Sequence, residues 1–194
     1  MILRMIIVSQ NATNYDVKFP ENCIYRINLA WCDNLDELKR ILEKHHDHNI
    51  FLDLPIGRIK PPNNRYSLEE IIPVMKQFNN VKYFAVSNVE SSDDLKSFIE
   101  LIPKGTTIVP KIESPDAVNN IKSITDVLPN SKKMVMLDHD DLFSSLIRKK
   151  ENKDKFKEYI EKLGKFCEEN EIKLLRTVGV IFSDDEKRVS QYIK

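Results

Sequence analysis

Short apolar runs alternate with amphipathic segments along most of this chain of 194 residues, and that alternation constrains the fold more than any other feature. The runs are mostly apolar, as expected of strands buried on both faces of a sheet. We predict seven strands, at residues 5–9, 23–28, 50–54, 83–87, 107–111, 133–137 and 172–180. Because helical patterns separate most of them, the sequence predicts a parallel sheet with right-handed crossovers. Seven strands in this order favour an α/β fold of the TIM-barrel-like kind, as an incomplete barrel, over a small open sheet.

Capping residues mark where the intervening helices begin. Ser67 is followed three residues later by Glu70, which is the signature of a capping box before an apolar run. Ser114 precedes Pro115, and proline is favoured in the first turn of a helix. We predict helices that open at 33–37 and at Ser67, and further helices over 95–101, 116–128 and 155–169.

Composition and charge narrow the functional classes. The 30 Lys and Arg residues balance the 30 Asp and Glu residues, so no basic field indicates a nucleic-acid partner. The three cysteines form no Cys-x-x-Cys pair, which predicts reduced thiols in a cytoplasmic protein. The apolar start at 1–8 is too short to span a membrane and lacks a signal-peptide cleavage pattern, so we expect no membrane partner. We predict one barrel domain over 1–182, followed by a polar tail or short helix over 183–194.

Charged side chains follow two neighbouring predicted strands. Lys111 and Glu113 lie at the end of the fifth strand, and Asp138, Asp140 and Asp141 come directly after the sixth. In a protein built from βα repeats, consecutive strand ends open onto the face where active sites form. Two carboxylates there can hold a hard divalent cation, and a lysine beside them can stabilise a bound oxyanion or enolate. The sequence therefore predicts a metal-assisted anion site.

Motifs on successive strands, over residues 5–180, resemble those of the catalytic barrel of pyruvate kinase. More widely, they resemble the phosphoenolpyruvate/pyruvate barrel enzymes, which include metal-dependent pyruvate aldolases and citrate-lyase-type enzymes. At the fifth strand, Lys111-Ile112-Glu113 is similar to the family's Lys-Ile-Glu. After the sixth, Asp140-Asp141-Leu142 is similar to the family's Gly-Asp-Leu. The segment 141–146 is equally similar to the Asp-Leu-x-x-Ser-Leu of the aldolase branch. The other matches are Arg26-Ile27-Asn28 at the second strand, Asp53 at the third, residues 84–90 at the fourth and Arg176-Thr177-Val178 at the seventh.

The resemblance implies a role for each matched residue. In the family, two carboxylates hold Mg²⁺ or Mn²⁺, a lysine supplies positive charge, and a threonine takes part in protonating the enolate. The implied metal ligands are Glu113 and Asp141, and the implied catalytic residues are Lys111 and Thr177. The implied substrate contacts, to a small anion such as phosphoenolpyruvate or pyruvate, are Arg26, Ser87 and Asp140. The implied ligands of a weaker K⁺ site are Asn28 and Asp53.

The chain also departs from the pyruvate kinase pattern. The lid domain that follows the third strand in the kinase is missing, because 60–65 leads almost directly into the next helix. The potassium site has Ala30 and Leu54 where the family has Ser and Thr. The segment 11–22 is too short for the usual first helix, and no eighth strand is evident after Phe182. Without a lid, enolate formation or a retro-aldol step is favoured over nucleotide-dependent phosphoryl transfer, and an incomplete barrel is expected to form a homo-oligomer.

The charged residues at the strand ends also have a purely structural interpretation. Lys111 and Glu113 could form an ordinary surface ion pair, which contributes little to stability. Asp138, Asp140 and Asp141 could be capping acids before a helix over 142–147. The metal-site interpretation depends on their joint occurrence at neighbouring strand ends.

Structural interpretations also apply to five further residues. Asp53 could be a turn residue before a proline. Arg26 lies on an otherwise buried strand, and a buried arginine must be paired. A metal site could be sought in His45, His46 and His48, but their place at a predicted helix end favours interaction with the last carbonyls of that helix.

Three functional hypotheses follow from the sequence. The leading one is a pyruvate kinase-like enzyme that depends on a divalent metal and acts on phosphoenolpyruvate or a pyruvyl or 2-oxo acid substrate through a metal-stabilised enolate. The kinase and lyase variants differ in whether a nucleotide is required. The second hypothesis is a degenerate barrel that binds a partner or small anion without turnover. The third is that the chain is a piece of a longer barrel.

Overall fold

The computed structural model describes residues 7–9, 23–57, 62, 64–129 and 132–176, and within these ranges the chain is an α/β protein with seven strands. The chain divides into two units, Met1–Ser87 with Lys96–Val109, and Asn88–Leu95 with Pro110–Lys194. Within each unit, neighbouring strands pair in parallel and in chain order. The predicted parallel α/β arrangement is confirmed, whereas one barrel domain over 1–182 stays a prediction.

In its described residues, the first unit contains four parallel strands, the start of a fifth strand and three helices. The strands are β1 (Ile7–Ser9), β2 (Ile24–Asn28), β3 (Ile50–Leu54) and β4 (Val81–Val86). The helices are α1 (Leu35–Lys44), α2 (Leu68–Gln77) and α3 (Lys96–Leu101), and a 3-10 turn at Leu29–Trp31 follows β2. Every residue of β3 is buried, as expected of a strand with other elements on both faces. The register places Asn28 beside Asp53 at the carboxyl ends of β2 and β3.

Where the structure describes the second unit, it contains the end of one strand, two further strands and four helices. Strand β5 (Thr107–Ile112) crosses the boundary between the units. The other strands are β6 (Met134–Leu137) and β7 (Lys173–Arg176). The helices are α4 (Pro115–Asn119), α5 (Ile121–Asp126), α6 (His139–Arg148) and α7 (Lys155–Glu169), and a 3-10 turn lies at Asp93–Leu95. The register pairs Ile112 of β5 with Leu137 of β6, so both strands end at the same edge.

The predicted strands agree with the observed ones to within two residues wherever the structure describes the chain. Strand β4 begins two residues earlier than predicted, at Val81. The predicted parts at 5–6 and 177–180 lie outside the described residues, as do 11–22 and the tail at 183–194. Local apolar patterning was therefore sufficient to place these strands.

The helix predictions hold except at three boundaries. The segment 116–128 is two helices, because the chain leaves the helical conformation at Asn120, whose side-chain amide donates to the Glu90 carbonyl oxygen at 2.8 Å. The helix predicted over 95–101 is a 3-10 turn followed by α3. Helix α6 begins at His139, earlier than the segment 142–147 suggested, because Asp138 caps it. The predicted capping box of Ser67 and Glu70 is confirmed.

Two sequence-based expectations about the environment can be compared with the structure. No helix in the described parts of the chain is long and apolar enough to cross a membrane. Cys23, Cys32 and Cys167 are not joined in disulfides, and all three are buried. Burial also raises the pKa of the Cys167 thiol to about 11, so this side chain behaves as a small apolar group at neutral pH.

Candidate metal centre

The carboxyl ends of β5 and β6 bring together four charged side chains of the second unit. Lys111 is the penultimate residue of β5, and Glu113 follows that strand directly. Asp138 follows β6, and Asp141 lies in the first turn of α6. The Asp138 N–H also donates to the Ile112 carbonyl oxygen at 3.3 Å, which ties the two strand ends together. The sequence-based prediction that Lys111, Glu113 and Asp141 lie near one another therefore agrees with this placement.

Lys111 lies between two carboxylates. Its Nζ is 2.5 Å from Glu113 Oε1 and 3.6 Å from Asp138 Oδ2. The side chains of Lys111 and Glu113 are only 5% and 6% exposed, so the alternative of a surface ion pair is wrong. A buried ammonium is stable only when carboxylates and hydrogen bonds replace the water that it has lost.

Glu113 is held at both of its carboxylate oxygens. Oε1 faces Lys111, and Oε2 accepts a hydrogen bond from the backbone N–H of Asn88 at 2.7 Å. Burial raises the pKa of the Glu113 carboxyl, while the charge and hydrogen bond of Lys111 and the N–H of Asn88 oppose that rise. The ammonium of Lys111 and the N–H of Asn88 therefore compensate for the hydration that this carboxylate loses on burial.

Three carboxylates of this cluster can act together as metal ligands. Oxygen atoms of Glu113, Asp138 and Asp141 all lie within 4.8 Å of one another. Carboxylate oxygens are the ligands that Mg²⁺ and Mn²⁺ prefer, and a bound cation would draw such oxygens closer. Three carboxylates against one ammonium leave two excess negative charges (three minus one) when all four groups are ionised. The donor set therefore fits a hard divalent cation.

Asp138 is the member of the cluster that sequence reasoning did not assign to the metal. The sequence places it among the acids at the end of the sixth strand, with helix capping as the alternative, and it does cap α6, because its Oδ1 accepts from the Asp141 N–H at 3.3 Å. Its other oxygen, Oδ2, faces Lys111. The available signal was its position directly after β6, where a strand-end carboxylate faces the same edge as Glu113. The side chain of Asp138 can therefore cap α6 and also contribute an oxygen to a metal site.

The other predicted site residues do not belong to this carboxylate cluster. Asp140 is exposed on the first turn of α6 and is outside the group of three carboxylates, so its substrate contact stays a prediction. Arg26, Asn28, Asp53 and Ser87 belong to the first unit. Thr177 lies outside the described residues.

Arg26 and Asp53 form an ion pair within the first unit. Arg26 donates to Asp53 Oδ2 through Nη2 and through Nε, the latter at 3.1 Å. Asp53 is fully buried within β3, so the alternative of a turn residue is wrong, and the expectation that Arg26 must be paired is confirmed. Asn28 Oδ1 accepts from the Ala30 N–H at 3.0 Å and so begins the 3-10 turn after β2. The potassium site stays a prediction.

Two of the histidines near the end of α1, His45 and His48, form an aromatic cluster with Tyr25. The ring of His45 stacks on Tyr25 with 4.0 Å between centroids, and His48 meets both rings edge-on. Burial, together with nearby His48 and Lys44, lowers the pKa of His45. These contacts give the rings a packing role at the end of α1, where His45 is the C-cap residue.

The first unit also contains an open cavity of about 590 Å³ beside the start of α2. It is lined by Ile56, Gly57, Asn64, Tyr66, Ser67, Leu68, Glu69, Ser97 and Phe98. None of these residues belongs to the carboxylate cluster.

Comparison with known proteins finds a similar fold but assigns the chain to no family. No protein-family model matches the chain, and no curated protein sequence matches it. Among solved structures, the chain is similar to the crystal structure of RipC from Yersinia pestis, with a TM-score of 0.60 and 15% sequence identity. The match covers 93% of this chain and 77% of RipC. At that identity, the likeness shows a shared fold and nothing more specific.

Proposed function

We propose that this protein is a divalent-metal-dependent enzyme that acts on phosphoenolpyruvate or a pyruvyl or 2-oxo acid substrate through an enolate. The observation that carries the proposal is the convergence of Glu113, Asp138 and Asp141. The buried ammonium of Lys111 contacts two of these carboxylates, those of Glu113 and Asp138. The parallel α/β fold supports a further proposal, that the strands belong to an incomplete TIM barrel which forms a homo-oligomer in the cytoplasm.

The proposed chemistry assigns a separate task to each residue. Glu113, Asp138 and Asp141 would hold Mg²⁺ or Mn²⁺. The cation would act as a Lewis acid and stabilise the negative charge of the enolate. Lys111 adds fixed positive charge, and its burial makes that charge more effective than it would be in water.

The remaining assignments rest on the resemblance to pyruvate kinase-like barrels. Arg26, Ser87 and Asp140 are proposed substrate contacts, and Thr177 is proposed to transfer a proton to or from the methylene carbon. Asn28 and Asp53 are the proposed ligands of a weaker K⁺ site. The missing lid segment favours a lyase or enolisation reaction over nucleotide-dependent phosphoryl transfer.

A calorimetric titration tests the site directly. The protein is titrated with oxalate, a mimic of enolpyruvate, with and without Mn²⁺. We expect oxalate binding that requires Mn²⁺ and that Glu113→Gln abolishes, because the substitution removes a ligand charge while keeping the side-chain shape. The matched control is Glu168→Gln, the same change at an exposed position on α7, which should bind as the wild type does. Failure of the wild type to bind Mn²⁺ or oxalate would refute the proposal.

A second candidate function is anion or partner binding without turnover. The observation that favours it is the ion pair between Arg26 and Asp53. An arginine that is paired with a buried carboxylate has a structural role that requires no substrate. Oxalate binding that occurs equally with and without Mn²⁺, and that survives Glu113→Gln, would support this alternative over the enzyme.

A further inference from the structure

The backbone of Asn88 adopts a left-handed conformation shortly after β4. Its φ is 56°, a value that non-glycine residues adopt uncommonly and that asparagine tolerates better than most. Strand β4 ends at Val86, so the chain turns sharply within two residues of the strand. A conformation of this kind persists only where the surrounding contacts maintain it.

Two other residues of the second unit share this conformation for an ordinary reason. Lys150 and Glu171 have φ values of 55° and 54°, and each follows the end of a helix. At both positions the next N–H closes back onto the helix, from Ile172 to the Cys167 carbonyl oxygen at 2.8 Å and from Glu151 to that of Leu146 at 3.2 Å. This pattern is how helices commonly end. Asn88 follows a strand, so helix termination does not explain its conformation.

The Asn88 N–H points at the carboxylate cluster. It donates to Glu113 Oε2 at 2.7 Å, while Lys111 contacts the other oxygen of the same carboxylate. A donor on one oxygen and an ammonium on the other fix the rotation of the carboxylate group. Hydrogen bonds from outside the ligand set commonly orient metal-binding carboxylates in this manner.

The turn that carries Asn88 is itself anchored. The Glu90 carbonyl oxygen accepts from the Asn120 side-chain amide at 2.8 Å, at the break between α4 and α5. The Asp94 carboxylate accepts from the N–H groups of Glu90 and Ser91, at 2.9 and 2.8 Å. The turn that carries the N–H of Asn88 is therefore held by hydrogen bonds of the residues that follow it, Glu90 and Ser91.

We propose that the left-handed turn at Asn88 is a positioning element, whose backbone N–H orients Glu113 for metal binding. This inference rests on the proposed function, because it assigns a task within the same metal centre. The proposed task belongs to the backbone N–H at position 88, so glycine, which adopts positive φ readily, should preserve it. Proline should not, since it has no N–H and fixes φ at a negative value.

Titration with Mn²⁺ alone, by calorimetry, tests this inference on the full chain. We expect Asn88→Gly, the conservative variant, to bind Mn²⁺ within about twofold of the wild type. Asn88→Pro should bind about 10- to 100-fold more weakly, which is the usual effect of removing a hydrogen bond that orients a ligand. The matched control is Glu171→Pro, which removes an N–H at the left-handed position after α7 and should leave Mn²⁺ affinity unchanged.

A second measurement applies even if the proline variant does not fold. In an amide NMR spectrum without metal, the residue-88 proton should lie downfield in the wild type and move upfield in Glu113→Gln, because its acceptor loses its charge. An unmoved residue-88 proton, or Mn²⁺ binding by folded Asn88→Pro that equals the wild type, would overturn the inference alone. A wild type that does not bind Mn²⁺ would overturn the proposed function and this inference with it.

Discussion

The ammonium of Lys111 lies almost fully buried between the carboxylates of Glu113 and Asp138. Such a cluster is not an efficient way to stabilise a fold, because desolvation of the ions offsets much of their attraction and well-packed apolar residues often serve as well. Residues that break the usual rule for a core concentrate at functional sites. At the scale of single residues, this cluster is therefore better explained by chemistry than by stability.

Replacing Lys111 with methionine separates these two roles. The change keeps the length of the side chain and removes its charge, so we expect a loss of about 10²–10³ in rate, the usual cost of losing one electrostatic partner of a developing oxyanion. Mn²⁺ should still bind, because the three carboxylates remain. The measurement is metal-dependent exchange of pyruvate methyl protons with D₂O, followed by ¹H NMR.

The control for this variant is Lys165→Met, at an exposed position on α7 whose ion pair with Glu169 is a surface one. It should exchange the methyl protons at the wild-type rate. If Lys111→Met also exchanges at the wild-type rate with Mn²⁺ bound, the catalytic role of Lys111 is refuted.

His45 provides a prediction about pH. Burial lowers its pKa in the folded protein below the ordinary value of 6.5, so the unfolded chain takes up a proton more readily. The stability associated with neutral His45 is thus present above pH 6.5 and declines as the pH falls from 6.5 towards the folded pKa. His45→Phe keeps a ring against Tyr25 and should flatten this decline. Urea unfolding between pH 5 and 8 measures it, and an equally steep decline in the variant would contradict the prediction.

At the scale of elements, local signals placed most helices and strands correctly. Ser67 and Glu70 cap α2 reciprocally, with hydrogen bonds of 3.4 Å and 2.8 Å, as their spacing in the sequence predicted. The failure at Asn120 has a different origin. Its side chain bonds to the distant Glu90 carbonyl oxygen, and that contact interrupts a helical pattern which is otherwise continuous.

The capping box gives a matched pair of variants. Ser67→Ala should lower the free energy of unfolding by about 1 kcal/mol, because the N–H of Glu70 loses its acceptor. Ser67→Gly should lower it by only a few tenths of a kcal/mol, since glycine is accepted at helix starts. Urea unfolding at pH 7 compares the two variants with the wild type. No loss for alanine would show that the serine oxygen contributes nothing as a cap, and equal losses for alanine and glycine would contradict the predicted difference between them.

At the scale of the whole molecule, the pattern of strands and helices carries more information than residue identity. The chain shares its fold with RipC at 15% identity, with a match that covers most of both chains. Buried strands accept many apolar residues, so the alternation can persist while individual side chains change. Function depends on a few side chains at the strand ends, and those must be argued from the site itself.

The sequence by itself determined the order of strands and helices, most of their caps, and the placement of Lys111, Glu113 and Asp141 at neighbouring strand ends. These features follow from apolar periodicity and capping, which act over a few residues. Only the tertiary structure decided that Asp138 faces Lys111, that Arg26 pairs with Asp53, and that the Asn88 N–H reaches Glu113. Each of these contacts joins residues that lie in or just after different strands, so it depends on strand register and side-chain rotamers, which no local pattern specifies.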